Sequence, residues 1–353
     1  GGAIINTIDS IIKNSTFNNN SATKNGGAIH NEGTLNIVDG IFTSNLSKNY
    51  GGAINNAKDL IVTGNSIFQD NYANNGGAIA ANILREGVAS NTTIGDGVKF
   101  INNEAKYSGG ALYLYDYKTS AREIPLKFII GDNVVFKGNT AKSSGGAIYS
   151  YIRVTGSEIK IGNNALFQDN KVAKGGAVYR AGNVSIGDNA KFINNAATSP
   201  TQGMGGAIYI AKAGFNIGQG SEFVSNSAIQ GGAIFNSADA ELTLDKVSFI
   251  NNSAKGSQAI GGAIALGKDD TLPLTITNSV FEGNNSDMVG GAIGQVNGSK
   301  ATISLDNVLF NNNSAGSEGG ALNSDTELIV KNSTFTGNKT TGTNIDENAP
   351  LYS

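Results

Sequence analysis

The tripeptide Gly-Gly-Ala followed by Ile, Leu or Val begins at Gly1, Gly26, Gly51, Gly76, Gly109, Gly145, Gly175, Gly205, Gly231, Gly261, Gly290 and Gly319. Each copy is followed by a second signature, Phe-x-x-Asn, beginning at Phe17, Phe42, Phe68, Phe100, Phe136, Phe167, Phe192, Phe223, Phe249, Phe281, Phe310 and Phe335. Twelve of the 15 Phe are used in this way, at motif spacings of 25 to 36 residues. A period of that size marks a chain built by stacking one small unit on itself. No stretch shows a convincing 3.6-residue hydrophobic period, and the chain is rich in Gly and Asn, both poor in helix interiors. An αβ repeat is therefore excluded.

Each unit reads as three short extended segments. The first is Gly-Gly-Ala-Ile, the second an alternation such as Leu35-Asn36-Ile37 or Ile303-Ser304-Leu305, and the third carries the Phe and Asn. Alternation of period two is the mark of a strand with one buried face. Turn residues such as Gly95-Asp96-Gly97 and Gly131-Asp132-Asn133 separate the second segment from the third. A four-stranded propeller blade would want about 40 residues per repeat. The predicted fold is all-β: a right-handed, single-stranded parallel β-helix of about twelve coils, forming one domain over 1–353, with its longest inserts at 80–99 and 114–135. The Phe of each coil is expected to stack on the next through the core. The Asn is expected at a bend, bonded to backbone or to the Asn above and below it.

The paired signatures resemble the repeats of the chlamydial polymorphic outer-membrane proteins, and related repeats occur in other type V autotransporter passengers. The resemblance runs through all twelve units. It implies a passenger secreted across the outer membrane, displayed at the bacterial cell surface or released, and acting as a virulence-associated adhesin toward a host receptor or glycan, or toward a copy of itself on another cell. It also implies anchorage through a C-terminal β-barrel, which this sequence does not contain; a chain that opens at Gly1 without a Met or signal peptide reads as a piece of a longer protein. Members of that family often contain cysteines and this chain has none, in keeping with a passenger threaded unfolded through a pore.

Little in the sequence suggests chemistry. The net charge of −3 and pI near 5.3 argue against nucleic-acid binding. Without Cys and with one His there is no thiolate or His-based metal site. No cofactor is expected, and His30 reads as a surface residue. Asp96 and Asp132 hold matching turn positions in consecutive coils, a separation compatible with a retaining glycosidase pair. A polysaccharide lyase or hydrolase is the enzymatic alternative, and a structural stalk the third reading; the same turn also holds Asn163, Asp188 and Gln219, which turn preference explains. The Asn-x-Ser/Thr triplets at Asn14, Asn45, Asn91, Asn251 and Asn332 read as by-products of Asn-rich turns.

The residue after Gly-Gly-Ala-Ile varies and is expected to point outward. It is Tyr113, Tyr149, Tyr179, Tyr209 and Phe235 in consecutive coils, with Tyr115 and Tyr151 one alternation step away. All four Arg (Arg85, Arg122, Arg153, Arg180) fall in the same or adjoining coils. Tyr and Arg are enriched at binding hot spots. Tyr113, Tyr115, Tyr149, Tyr151, Tyr179, Tyr209, Phe235, Arg153 and Arg180 are therefore the candidate binding face. The alternative is a stabilising ladder, or Tyr packed beneath inserted loops. The ends pose a physical problem, since a cut β-helix exposes strand edges and open core. The polar segment 339–353 is expected to be a partial cap at most, with end-to-end association or fraying as the consequence.

Overall fold

The computed structural model describes residues 1–82, 91–116, 125–152, 154, 156–181, 183–212, 214–237, 241–268 and 270–342. The chain is a right-handed parallel β-helix, without helices among the described residues. Four sheets run its length, each of 12 strands, and every strand pairs parallel with its counterparts one coil before and after. Three sheets are those anticipated: Ile29–Asn31, Leu35–Val38 and Ile41–Thr43 belong to one coil. The fourth is a correction to the three-strand reading. It follows the Asn that recurs in each coil and is only two residues long in most coils, as in Ser21–Ala22, Ser253–Ala254 and Ser314–Ala315. Its inward residues are small, and Ala105, Ala141, Val172, Ala197 and Ala228 form an apolar cluster of their own.

The pairing sets like on like. Ile29, Ile54, Ile79, Leu112 and Ile148 occupy one column of the first sheet. The motif Phe residues form an unbroken stack from Phe17 to Phe335, centroids 4.7–5.1 Å apart and planes within 2–11°. Phe42 to Phe310 are fully buried, whereas Phe17 is half-buried and Phe335 is 45% exposed at the last rung. Interior packing of such side chains, not local propensity, stabilises strands this short.

The Asn that follows each Phe turns the corner into the fourth sheet and continues the ladder. The backbone N–H and Nδ2 of Asn103 both donate to Asn139 Oδ1 at 3.0 Å, while Asn103 Nδ2 also donates to the Phe68 carbonyl at 3.0 Å. The same arrangement links Asn139 to Asn170 and Asn170 to Asn195. At the opposite corner the first Gly of each pair from Gly26 onward adopts positive φ, +69° at Gly109, and the second lies against the next coil, where a Cβ on Gly110 would overlap the Gly146 carbonyl oxygen.

The inserts expected at 80–99 and 114–135 contain 83–90 and 117–124, which lie outside the described residues, as does 343–353 of the proposed cap. At the other end Ile5, Ile8 and Ile11 are exposed.

Candidate functional site

The aromatic column is continuous. Successive ring centroids are 5.2 Å apart from Tyr113 to Tyr149, 5.2 Å to Tyr179, 4.9 Å to Tyr209 and 5.4 Å to Phe235, with interplanar angles of 7–18°. Parallel pairing of the strands Leu112–Asp116, Ile148–Ile152 and Val178–Ala181 puts these residues in register. Tyr115 stacks on Tyr151 at 5.5 Å and lies 5.6 Å from Tyr113, so the column is two rings wide at its start.

The column leaves the main core, as anticipated, but it is more covered than an open ridge. Tyr113, Tyr209 and Phe235 are only 9%, 7% and 4% exposed; Tyr149, Tyr179, Tyr115 and Tyr151 are half-buried. The cover comes largely from residues that precede the Gly-Gly corner. Tyr50 leans to 5.9 Å from Tyr113 over the small Ala80 column position. Met204 and Ile260, joined through isolated bridges with Gln230, pack on Tyr209, Phe235 and Ala265. Tyr209 Oη donates to Ser237 Oγ at 3.2 Å. Burial raises the Tyr113, Tyr149 and Tyr179 phenols above their usual value, with neighbouring phenols adding to the effect, and Tyr149 reaches about 12. These hydroxyls are therefore protonated donors at neutral pH.

The ring geometry also decides what the column can do. Because each ring stacks on the next, the faces of the interior rings are occupied, and edges and hydroxyls are what remain for a ligand. Stacking a sugar or base on an individual Tyr face is closed to the middle of the column.

Arg180 is a correction. It belongs to the inward column between Ser150 and Ile210, is 0% exposed, and packs 5.0 Å from the Phe215 ring while Nη2 donates to the Gly214 carbonyl at 2.5 Å. Strand alternation places its side chain inside once Tyr179 points out. Desolvation lowers its pKa to about 9, so it stays a cation at neutral pH inside the rod and out of reach of a partner. Arg153 lies outside the described residues, as do Arg85 and Arg122.

The remaining candidates resolve into structure. Asp132 N–H donates to Asp96 Oδ1 at 2.8 Å and Asn163 N–H to Asp132 Oδ1 at 2.7 Å; Asn163 and Asp188 continue the same ladder. Each turn thus holds the next, and the carboxylates of the glycosidase reading are engaged in that task. His30, expected at the surface, is half-buried between Glu32 and Asn55, at 3.2 Å and 2.9 Å. No group of three or more His, Cys, Asp or Glu suited to a metal occurs among the described residues.

One feature escaped the sequence reading. Beside the column, across the Gly-Gly corner, the strands of the fourth sheet lengthen to four or five residues, as they do from Tyr72–Asn75 onward: Glu104–Ser108, Thr140–Ser144 and Lys171–Lys174. Register between these strands sets Lys142 beside Lys106, Lys171 beside Thr140 and Lys174 beside Ser144. Lys106, Lys142 and Lys171 are exposed, and Lys174 reaches to 6.0 Å from the Tyr209 ring centroid. The signal was a lysine shortly before each of three consecutive Gly-Gly pairs, at the same offset in Lys106 and Lys142 and at other offsets in Lys171 and Lys174.

Among known families, the Chlamydia polymorphic membrane protein repeat matches residues 14–32, 133–151 and 307–325. Each match runs from a motif Phe-x-x-Asn through the fourth strand to the following Gly-Gly-Ala motif. The chain therefore carries chlamydial polymorphic membrane protein-like repeats. No curated protein and no solved structure matches it.

Proposed function

We propose that this rod is a binding scaffold of a bacterial surface protein, holding its bearer to host cells or to sister cells without catalysis. The repeat and the parallel β-helix together fit an autotransporter passenger-like surface protein, and the observation that carries the binding reading is the Tyr column. It is an aromatic array outside the core, half-buried at Tyr149 and Tyr179, in the same coils as the longest inserts. A ladder that served packing alone could be made from Ala, Asn or Gly, as at Ala265, Asn55 and Gly294 in other coils of the same column.

The experiment displays the chain on beads and counts those retained by cultured epithelial cells. Wild-type beads are expected to adhere, and the Tyr149→Ala, Tyr179→Ala double variant, at unchanged circular dichroism, to adhere severalfold less. Undiminished adhesion by the folded variant removes the column from the reading; absence of adhesion by the wild type, to host cells and to beads bearing the same chain, removes the reading itself.

A further inference from the structure

We propose that the lysine strip and the Tyr edge beside it form one site for a sulfated, acidic polysaccharide lying along the rod axis. This rests on the reading of the rod as a binding scaffold and names the class of partner.

The first observation is the distribution of charge. Residues 99–191 contain thirteen Lys and Arg against seven Asp and Glu, a net of +6 in a chain of net −3, so the remainder carries −9. The cationic segment spans the coils of Tyr113, Tyr149 and Tyr179, the first three rungs of the column. The second is geometry. Lys106 and Lys142 stand side by side on adjacent strands of one exposed face, spaced by the ~4.8 Å separation of neighbouring strands, and Lys171 stands on the next strand of that face beside Thr140, two residues back from Lys142. Glu104 is the one carboxylate on those three strands, with Asp169 at the corner before Lys171. The third is the row of phenols across the corner. Among the described residues no group accepts from or donates to the hydroxyls of Tyr149 and Tyr179, whereas Tyr209 is engaged with Ser237.

Ammonium groups on three successive coils, staggered at Lys171, and a row of neutral O–H donors beside them, both repeating once per coil, recognise a linear polyanion whose charges also repeat. An extended pyranose chain advances by a length comparable to the coil rise. Its sulfates accept from Lys and Tyr without requiring an aromatic face. A single-stranded nucleic acid, by contrast, draws much of its affinity from stacking bases on exposed rings, and the column's faces are already occupied by neighbouring rings. Lys as a flexible point charge suits sulfates of variable position, where Arg would impose a planar fork.

The test measures binding of a fluorescent heparin oligosaccharide to the whole chain. Wild-type protein is expected to bind in low salt and to lose affinity as ionic strength rises. The Lys106→Ser, Lys142→Ser, Lys171→Ser triple variant is expected to bind roughly tenfold more weakly. Tyr149→Phe with Tyr179→Phe, which keeps the stack and removes the hydroxyls, is expected to weaken binding severalfold. Lys255→Ser with Lys300→Ser, elsewhere on the rod, is expected to leave it unchanged. Equal loss in the strip and control variants, equal binding of desulfated heparin, or binding of single-stranded DNA or anionic phospholipid vesicles as tight as heparin through the same lysines, overturns the proposal. Bead adhesion to cells separates the two readings. If adhesion persists on cells stripped of sulfated glycans, the scaffold reading stands and this one falls; if heparin binds but no cell does, the strip stands and adhesion falls.

Discussion

At the scale of single residues, the Asn of each repeat performs more functions than the Phe beside it. The Phe rings could exchange for other apolar groups at the cost of a cavity. Asn139 cannot: it accepts from Asn103 N–H and Nδ2, donates through Nδ2 to Phe100 O and Asn170 Oδ1, and its own N–H donates to Asn170 Oδ1. No other side chain offers one acceptor and two amide protons at that length. Asn139→Ala takes the acceptor from the buried Asn103 N–H and the amide donor from the Phe100 carbonyl, and one of two donors from Asn170 Oδ1, at a cost on the order of 2–4 kcal/mol. Asp at the same site supplies acceptors where donors are needed. Because solenoid coils can open locally, the reading belongs to hydrogen exchange. Amides of residues 100–104 and 138–141 are expected to lose protection in Asn139→Ala while those beyond residue 290 keep theirs; uniform loss along the rod, or none, contradicts the ladder account.

At the scale of strands and corners, the Gly-Gly pair is a close approach between backbones. Gly110 meets the Gly146 carbonyl oxygen of the next coil and the backbone of Thr140, whereas Gly97, in a turn at φ +70°, has nothing within 4 Å of where a Cβ would stand. Gly97→Ala is expected to cost about 1 kcal/mol through its left-handed backbone alone. Gly110→Ala, at an ordinary φ, instead pushes two coils apart and is expected to cost at least about 3 kcal/mol. Chemical denaturation of the two variants side by side checks the difference, and equal midpoints would show that the corner yields. The same elements explain what could be read in advance. Phe, Asn and Gly-Gly announced themselves because each recurs where stacking demands one residue type. The fourth strand did not, because two residues such as Ser253–Ala254 show no alternation and Ala fills the inward place without a bulky signature. Arg180 was misread because its type suggests surface, while its parity with Leu114, Ser150 and Ile210 dictates the interior. Cover over Tyr113 and Phe235 was hidden too, since Tyr50 and Ile260 reach them from other coils.

At the scale of the whole rod, each coil is bound only to its neighbours, so stability is close to a sum of coils and the contacts between them. That has a consequence unavailable to an ordinary domain: a complete coil is removable and a partial one is not. The first three motif spacings are each 25 residues. Deleting 26–50 therefore joins Asn25 to Gly51 in place of Gly26 and drops the first coil onto the third, with Ile4 meeting Ile54, Phe17 meeting Phe68 and the Asn20 backbone and amide meeting Asn71. Those partners repeat the ones now made with Ile29, Phe42 and Asn45. The shortened chain is expected to fold, to keep its β circular dichroism per residue, and to be shorter by one strand spacing, ~4.8 Å, in solution scattering. Deleting 26–37 removes the first two strands of a coil and keeps the third, so Phe17 has a ring above it but the inward Ile and Leu columns are broken. With each sheet closed only through its neighbours, the N-terminal coil then has nothing continuous to pair with and is expected to unfold, giving protease cleavage within residues 1–25 that the full-coil deletion resists. Equal resistance of the two deletions would mean that the coils are not the units of this fold.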